Sequence, residues 1–142
     1  MFQLELVNKL KINNVTGKPV IICVDDELLI LSSLSQQLKR KYGQDFAIEA
    51  VDTAELALEI VKRCNEENTD IPVVICDRLM PVMSGDELLI QIHKTNPDTR
   101  KILLTGQAST ANISNAINNA NLYRYISKPW SNEELFSSVD EA

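Results

Sequence analysis

Short apolar runs alternate along this chain with segments of helical period. The runs occupy residues 20–24, 46–51, 73–76, 102–104 and 122–126. Between them, Ala57, Ile60, Val61 and Cys64 recur at i, i+3, i+4 and i+7, as do Ile113, Ala116, Ile117 and Ala120. Each set lines one face of a helix. Leu31, Leu34 and Leu38 make a similar stripe, and so do Gly85, Leu88, Leu89 and Ile92. Ser84 with Glu87 and Ser131 with Glu134 match a capping box, in which hydroxyl and carboxylate satisfy the free N–H groups of a helix start. Asn96-Pro97 stops the third helix, because proline disfavours a helical predecessor. The spacing predicts five strands and five helices in strict βα order, hence an α/β fold with a parallel sheet covered on both faces.

VIICV, VVIC and ILL are continuously apolar, as expected of strands covered on both sides. FAIEAV carries Glu49 and LYRYI carries Arg124, which marks strands two and five as edges. The flavodoxin-like doubly wound order 2-1-3-4-5 follows, and it places ligands at the carboxyl ends of the strands. Residues 1–18 are expected to form an N-terminal arm or short extra segment. Residues 19–142 are expected to form one domain, with room after Ser131 for a last helix but for no effector domain.

Composition narrows the choice of chemistry. The 142 residues are 44% hydrophobic and 24% charged, ordinary for a folded protein. Lys plus Arg number 14 against 20 Asp plus Glu, a net charge of −6. That balance argues against nucleic-acid binding, which rests on phosphate neutralisation, and suits a cation or a basic partner surface. His93 is the one histidine, so a multi-histidine metal site is excluded. It reads as a solvated helix-end residue. Cys23, Cys64 and Cys76 are odd in number and widely spaced, which fits buried thiols in a reducing, cytoplasmic compartment rather than disulfides or zinc. No apolar stretch is long enough to span a bilayer.

At the carboxyl ends stand Asp25-Asp26 (strand one), Asp77 (strand three), Thr105-Gly106 (strand four) and Lys128-Pro129 (strand five). Two like charges about 4 Å apart repel by about 4 kcal/mol at an effective dielectric near 20. A divalent cation relieves that repulsion, and an all-oxygen site with room for water suits Mg²⁺. A carboxylate can act as a nucleophile toward phosphorus, and Asp77, on a central strand, is the natural acceptor. Singly, each motif has a plainer reading: Asp25-Asp26 as a helix cap, Asp77 as a loop acid before Met80-Pro81, Thr105-Gly106 and Lys128-Pro129 as turns. Their coincidence at one end of the sheet is what argues for a site.

VDDE at 24–27, CDRLMPVMSG at 76–85, LLTG at 103–106 and YRYISKPW at 123–130, in this order and spacing, resemble a two-component response-regulator receiver domain over roughly residues 18–140. The resemblance implies that Asp77 is the phosphoacceptor. Asp25 and Asp26 would be the acidic pair that holds Mg²⁺ together with Asp77 and the Leu79 main-chain carbonyl. Thr105 would be the switch hydroxyl, Tyr125 the aromatic switch and Lys128 the salt-bridge partner of the phosphate, with a cis bond before Pro129. Leu79 and Gln107 fall at positions that tune phosphoryl lifetime. Trp130 reads as a packing anchor. The implied partners are a histidine kinase or histidine phosphotransfer protein, an effector domain outside this chain, and a second copy through the fourth helix, fifth strand and fifth helix. No membrane partner is expected. The Asn-rich face at 112–121 reads as solvated. The YRYISKPW ending is similar to receivers joined to cyclic-nucleotide hydrolase, cyclase or phosphatase output domains.

Three rivals remain. A haloacid-dehalogenase-like phosphatase also uses Asp, Thr, Lys and Mg²⁺, but it sets its two acids two residues apart on one strand. Here Asp77 lies 52 residues after Asp25. A flavodoxin-like cofactor binder needs a phosphate loop where DDELLI stands. A pseudo-receiver would mediate contacts only. The favoured reading is a signalling module that promotes its own phosphorylation and dephosphorylation, and turns over no external substrate.

Overall fold

The computed structural model describes residues 17–106 and 121–141. In chain order the described elements are β1 (Val20–Val24), α1 (Leu28–Tyr42), β2 (Ala47–Val51), α2 (Ala54–Glu66), β3 (Val73–Asp77), α3 (Gly85–Thr95), β4 (Arg100–Thr105), β5 (Arg124–Ser127) and α4 (Asn132–Asp140). The sheet is parallel in the order β2-β1-β3-β4-β5, as the apolar patterning predicts. Here α4 is the fifth helix of the predicted series. The predicted fourth helix, the 112–121 Asn-rich face apart from Asn121, Gln107 and residues 1–16 of the N-terminal arm lie outside the described residues.

Alternation along the strands splits the core into two layers. Val20, Ile22, Val24, Val74, Cys76 and Leu103 face the stripes of α2 and α3, namely Ala57, Ile60, Val61, Cys64, Leu88, Leu89 and Ile92. Ile21, Cys23, Val73, Ile75, Ile102, Leu104 and Ile126 face Leu31, Leu34, Leu38 and Tyr42 of α1 and Leu135 and Val139 of α4. Side chains this buried each cost about 2–5 kcal/mol when a large aliphatic is cut to alanine. All three cysteines are free and buried. Burial pushes the Cys23 thiol up to about 12 and the Cys64 thiol up to about 11.

The hydroxyls of Ser84 and Ser131 accept the N–H groups of Glu87 and Glu134, at 3.3 and 3.1 Å. α3 ends at Thr95, before Asn96-Pro97. Trp130 packs against the second core layer, and its indole N–H donates to Gln37 Oε1 at 2.9 Å.

Four details depart from the sequence reading. β4 begins at Arg100 and β5 runs from Arg124 to Ser127, because pairing sets Ile102 opposite Arg124 and leaves Leu122 and Tyr123 ahead of the ladder. β2 is an edge strand, yet the Glu49 that marks it is buried. His93 is half-buried rather than solvated, with its Nδ1 enclosed and unpartnered among the described residues. Lys101 lies wholly inside β4's environment: its ammonium donates to the carbonyl of Thr99 at 2.7 Å and approaches those of Asn96 and Pro97 at 3.5 Å.

Candidate functional site

Parallel register decides what meets at the carboxyl edge of the sheet. Val24 pairs with Cys76, so the next residues, Asp25 and Asp77, leave the sheet level with each other. Asp77 pairs with Leu104, and Thr105 with Ser127, which carries Thr105 and Lys128 to the same rim. The Lys128 N–H donates to the Thr105 carbonyl at 2.9 Å, and the Arg78 N–H to that of Leu104 at 2.9 Å. The bond between Lys128 and Pro129 is cis.

Asp25 and Asp77 are buried, and Lys128 stands between them. Its ammonium is 2.9 Å from Asp25 Oδ2 and 2.8 Å from Asp77 Oδ1, with Glu27 Oε1 farther off at 4.0 Å. Asp25, Asp26 and Asp77 each offer a carboxylate oxygen, and these oxygens lie within 4.8 Å of one another. Three carboxylates against one close ammonium leave two negative charges at this rim, where Asp25 and Asp77 are buried and Asp26 is not. Burial raises the Asp77 carboxyl above its ordinary value, the Lys128 hydrogen bond opposes that rise, and the Asp25 charge adds to it. Burial works against the charge on Lys128, but its hydrogen bonds to Asp77 and Asp25 win and raise its pKa. Burial disfavours the charged form of both groups, and their pairing with each other favours it.

The plain reading of Asp25-Asp26 as the helix cap is corrected: Asp25 stands two residues before the N-cap. Its Oδ1 accepts the Glu27 N–H at 2.9 Å, closing a turn into α1, while Oδ2 meets Lys128. The residue at the helix N-cap is Glu27, which makes no side-chain cap bond. Thr105 is buried beside the cluster. Tyr125, on β5 opposite Leu103, is 45% exposed, and the Leu79 side chain is 71% exposed on the loop between β3 and α3.

The sequence reading passed over the support beneath the cluster. Gly85, the first residue of α3, packs on the backbone of the acid: a Cβ there would stand 2.1 Å from the Asp77 carbonyl oxygen. A glycine directly after the Ser84 cap is the signal that could have shown it. Arg78 and Asp86 form a second pair close by, Nε to Oδ1 at 3.9 Å.

The oxygens of this cluster are the donor set that Mg²⁺ takes, and the surplus negative charge fits a hard divalent cation that keeps several waters. Thr105, Lys128 and the three acids thus bring a hydroxyl, an ammonium and carboxylates to one small rim.

Comparisons with known proteins agree with that fold. The family model described as response regulator receiver domain matches residues 21–140. The hydrogenase transcriptional regulatory protein HoxA of Bradyrhizobium diazoefficiens is 30% identical over 122 residues, 86% of this chain but 23% of that protein. The chain thus spans under a quarter of the length of the HoxA regulators it matches. The chemotaxis protein CheY of Listeria monocytogenes is 28% identical over 86% of this chain and 96% of its own length. Among solved structures, the signal receiver domain of an HD domain-containing protein from Pseudomonas fluorescens Pf-5 superposes with a TM-score of 0.78, at 34% identity, covering 88% of this chain and 94% of that one. The fold, the strand-end acids and these matches coincide over the same residues, and the chain belongs to the response regulator receiver domain family, a signalling module of two-component systems.

Proposed function

We propose that Asp77 accepts the phosphoryl group in this receiver. A carboxylate oxygen of Asp77 forms the new O–P bond as the P–N bond of a phosphohistidine donor breaks, and the departing imidazole takes up a proton. Lys128, now 2.8 Å from Asp77 Oδ1, moves its charge onto the transferred group. Thr105 donates its hydroxyl to a phosphoryl oxygen. Asp25, Asp26, Asp77 and the Leu79 carbonyl would hold Mg²⁺, which when bound neutralises charge on the phosphoryl oxygens. Such transfers depend mainly on positioning and charge compensation. The observation that carries the reading is the ammonium of Lys128 bridging the two buried acids Asp25 and Asp77, with Asp26 within reach of both.

The new bonds to Thr105 and Lys128 favour one of two conformations, which is the differential interaction a switch needs. Tyr125, 45% exposed here, is the aromatic element that follows Thr105 inward. The domain promotes its own phosphorylation and dephosphorylation and turns over no external substrate.

The donor is a histidine kinase or histidine phosphotransfer protein. Leu28, Leu29, Leu79 and Val82, all strongly exposed, flank Asp26 and Asp77 in sequence and offer it an apolar collar. Residues 19–142 would form the receiver, preceded at 1–18 by an N-terminal arm or short extra segment. Output passes to an effector domain or to a second copy through the predicted fourth helix, β5 and α4. YRYISKPW is similar to receivers with enzymatic outputs, and the chain is 34% identical to the receiver of an HD domain-containing protein. Among the described residues no helix is long and apolar enough to cross a membrane, and free buried thiols suit the cytoplasm.

Intact mass after incubation with acetyl phosphate and Mg²⁺ tests the reading. Wild type should gain one phosphoryl group and Asp77→Asn none; equal labelling of both would overturn the assignment.

A further inference from the structure

The loop that leaves Asp77, residues 78–84, is fastened at its base. The Gly85 N–H donates to the Arg78 carbonyl at 2.8 Å, so the two ends of the loop touch. Over that junction lie the side chains of Arg78 and Asp86, 14% and 10% exposed. Arg78 Nε and Asp86 Oδ1 are 3.9 Å apart, and each is enclosed without a hydrogen-bond partner among the described residues. Buried charges are normally paired and hydrogen-bonded, so two that face each other across a loop junction call for an explanation. The loop also holds Val82 at φ 70, a left-handed conformation that a β-branched residue rarely adopts. Such backbone persists only where its surroundings over-determine it. Burial raises the Asp86 carboxyl and the Arg78 charge opposes that rise, which agrees with their pairing.

We infer that Arg78 and Asp86 are a positioning pair: their ion pair clasps the β3–α3 loop and sets the backbone that carries Asp77 and the Leu79 carbonyl. The inference rests on Asp77 being the phosphoacceptor. Neither side chain reaches the transferred group. They act by fixing where the acid and the carbonyl stand, and a misplacement of 1 Å in such a site slows transfer by about 10²-fold.

Arg78→Met, Asp86→Asn and the double variant test it, with Arg78→Lys as the conservative control. Three quantities are read for each: the phosphorylation rate with acetyl phosphate, Mg²⁺ affinity by calorimetry, and the urea midpoint. Each single variant should phosphorylate about tenfold more slowly and bind Mg²⁺ more weakly. The double variant should lose no more than the worse single one, because coupled residues are non-additive. Arg78→Lys should recover most of both losses. Lower urea midpoints with wild-type rate and Mg²⁺ affinity would overturn the inference and leave a structural pair only, as would losses that simply add. A wild type that takes up no phosphoryl group would overturn the phosphoacceptor reading itself. Labelled wild type with equally fast variants would overturn only the clasp.

Discussion

Lys128 Nζ lies 2.8 Å from Asp77 Oδ1, across a sheet edge that joins residues 51 positions apart. Asp77 ends β3 and Lys128 directly follows β5, strands separated by β4, and the parallel register of β3, β4 and β5 brings them together.

Removing that ammonium should expose the strain the acids impose. In Lys128→Met, the buried Asp25 and Asp77 lose their close counter-charge. Breaking a buried pair from one side costs about 3–5 kcal/mol. The variant should unfold at lower urea than wild type in EDTA, and added MgCl₂ should restore more stability to it than to wild type. Its phosphorylation rate should fall at least about 10²-fold, as when a donor to developing negative charge is deleted. A variant as stable as wild type in EDTA would show that the acids do not need the lysine.

Mg²⁺ should stabilise the wild-type fold by mass action, about 2.7 kcal/mol at a hundredfold excess over its dissociation constant. Asp26→Ala removes one of the three carboxylates without touching the Lys128 contacts. Thermal unfolding with and without MgCl₂ should show a large shift for wild type and a small one for Asp26→Ala. Equal shifts would place the ion elsewhere.

Gly85→Ala puts a methyl group 2.1 Å from the Asp77 carbonyl oxygen, a backbone atom that cannot swing aside. The first turn of α3 or the end of β3 must move. Overpacking of this kind costs about 1–3 kcal/mol. Urea unfolding should show that loss, and acetyl phosphate labelling should slow because the displaced strand end carries Asp77, the proposed acceptor. Wild-type labelling in this variant would mean that α3 yields and the acid does not.

Why so much of this was readable in advance is visible in the same residues. Apolar runs bounded by helical stripes predict a parallel sheet, and a parallel sheet gathers strand ends, so Asp25, Asp26, Asp77, Thr105 and Lys128 share a rim once the strand order is known. What stayed hidden are charged residues that the fold encloses. Lys101, Glu49 and the Arg78–Asp86 pair look like solvated side chains in a linear pattern, because burial depends on which helix covers which strand. The apolar pattern predicts too early a start for β5 for a related reason. Leu122 and Tyr123 are apolar enough for a strand, but they pack on the core before the ladder begins.

Those enclosed groups also predict how stability depends on pH. Burial pushes Cys23 up to about 12, Cys64 up to about 11 and Cys76 well above the ordinary thiol value of 9.0. In the unfolded chain these thiols ionise near 9, while in the folded protein they stay protonated. The folded state then binds more protons, so stability is full below pH 9 and declines as pH rises beyond it, by at most about 1.4 kcal/mol per pH unit for each thiol. Lys101 opposes them: burial lowers its folded pKa beneath 10.5, so the unfolded state holds its proton longer and stability gains as pH rises toward 10.5. Three thiols outweigh one lysine, and the net slope between pH 9 and 10 should be downward. Urea midpoints measured under reducing conditions at pH 8, 9 and 10 should therefore fall, less steeply in Cys64→Val and more steeply in Lys101→Met. Midpoints that rise over this range would show that the thiols ionise inside the fold and that the lysine dominates.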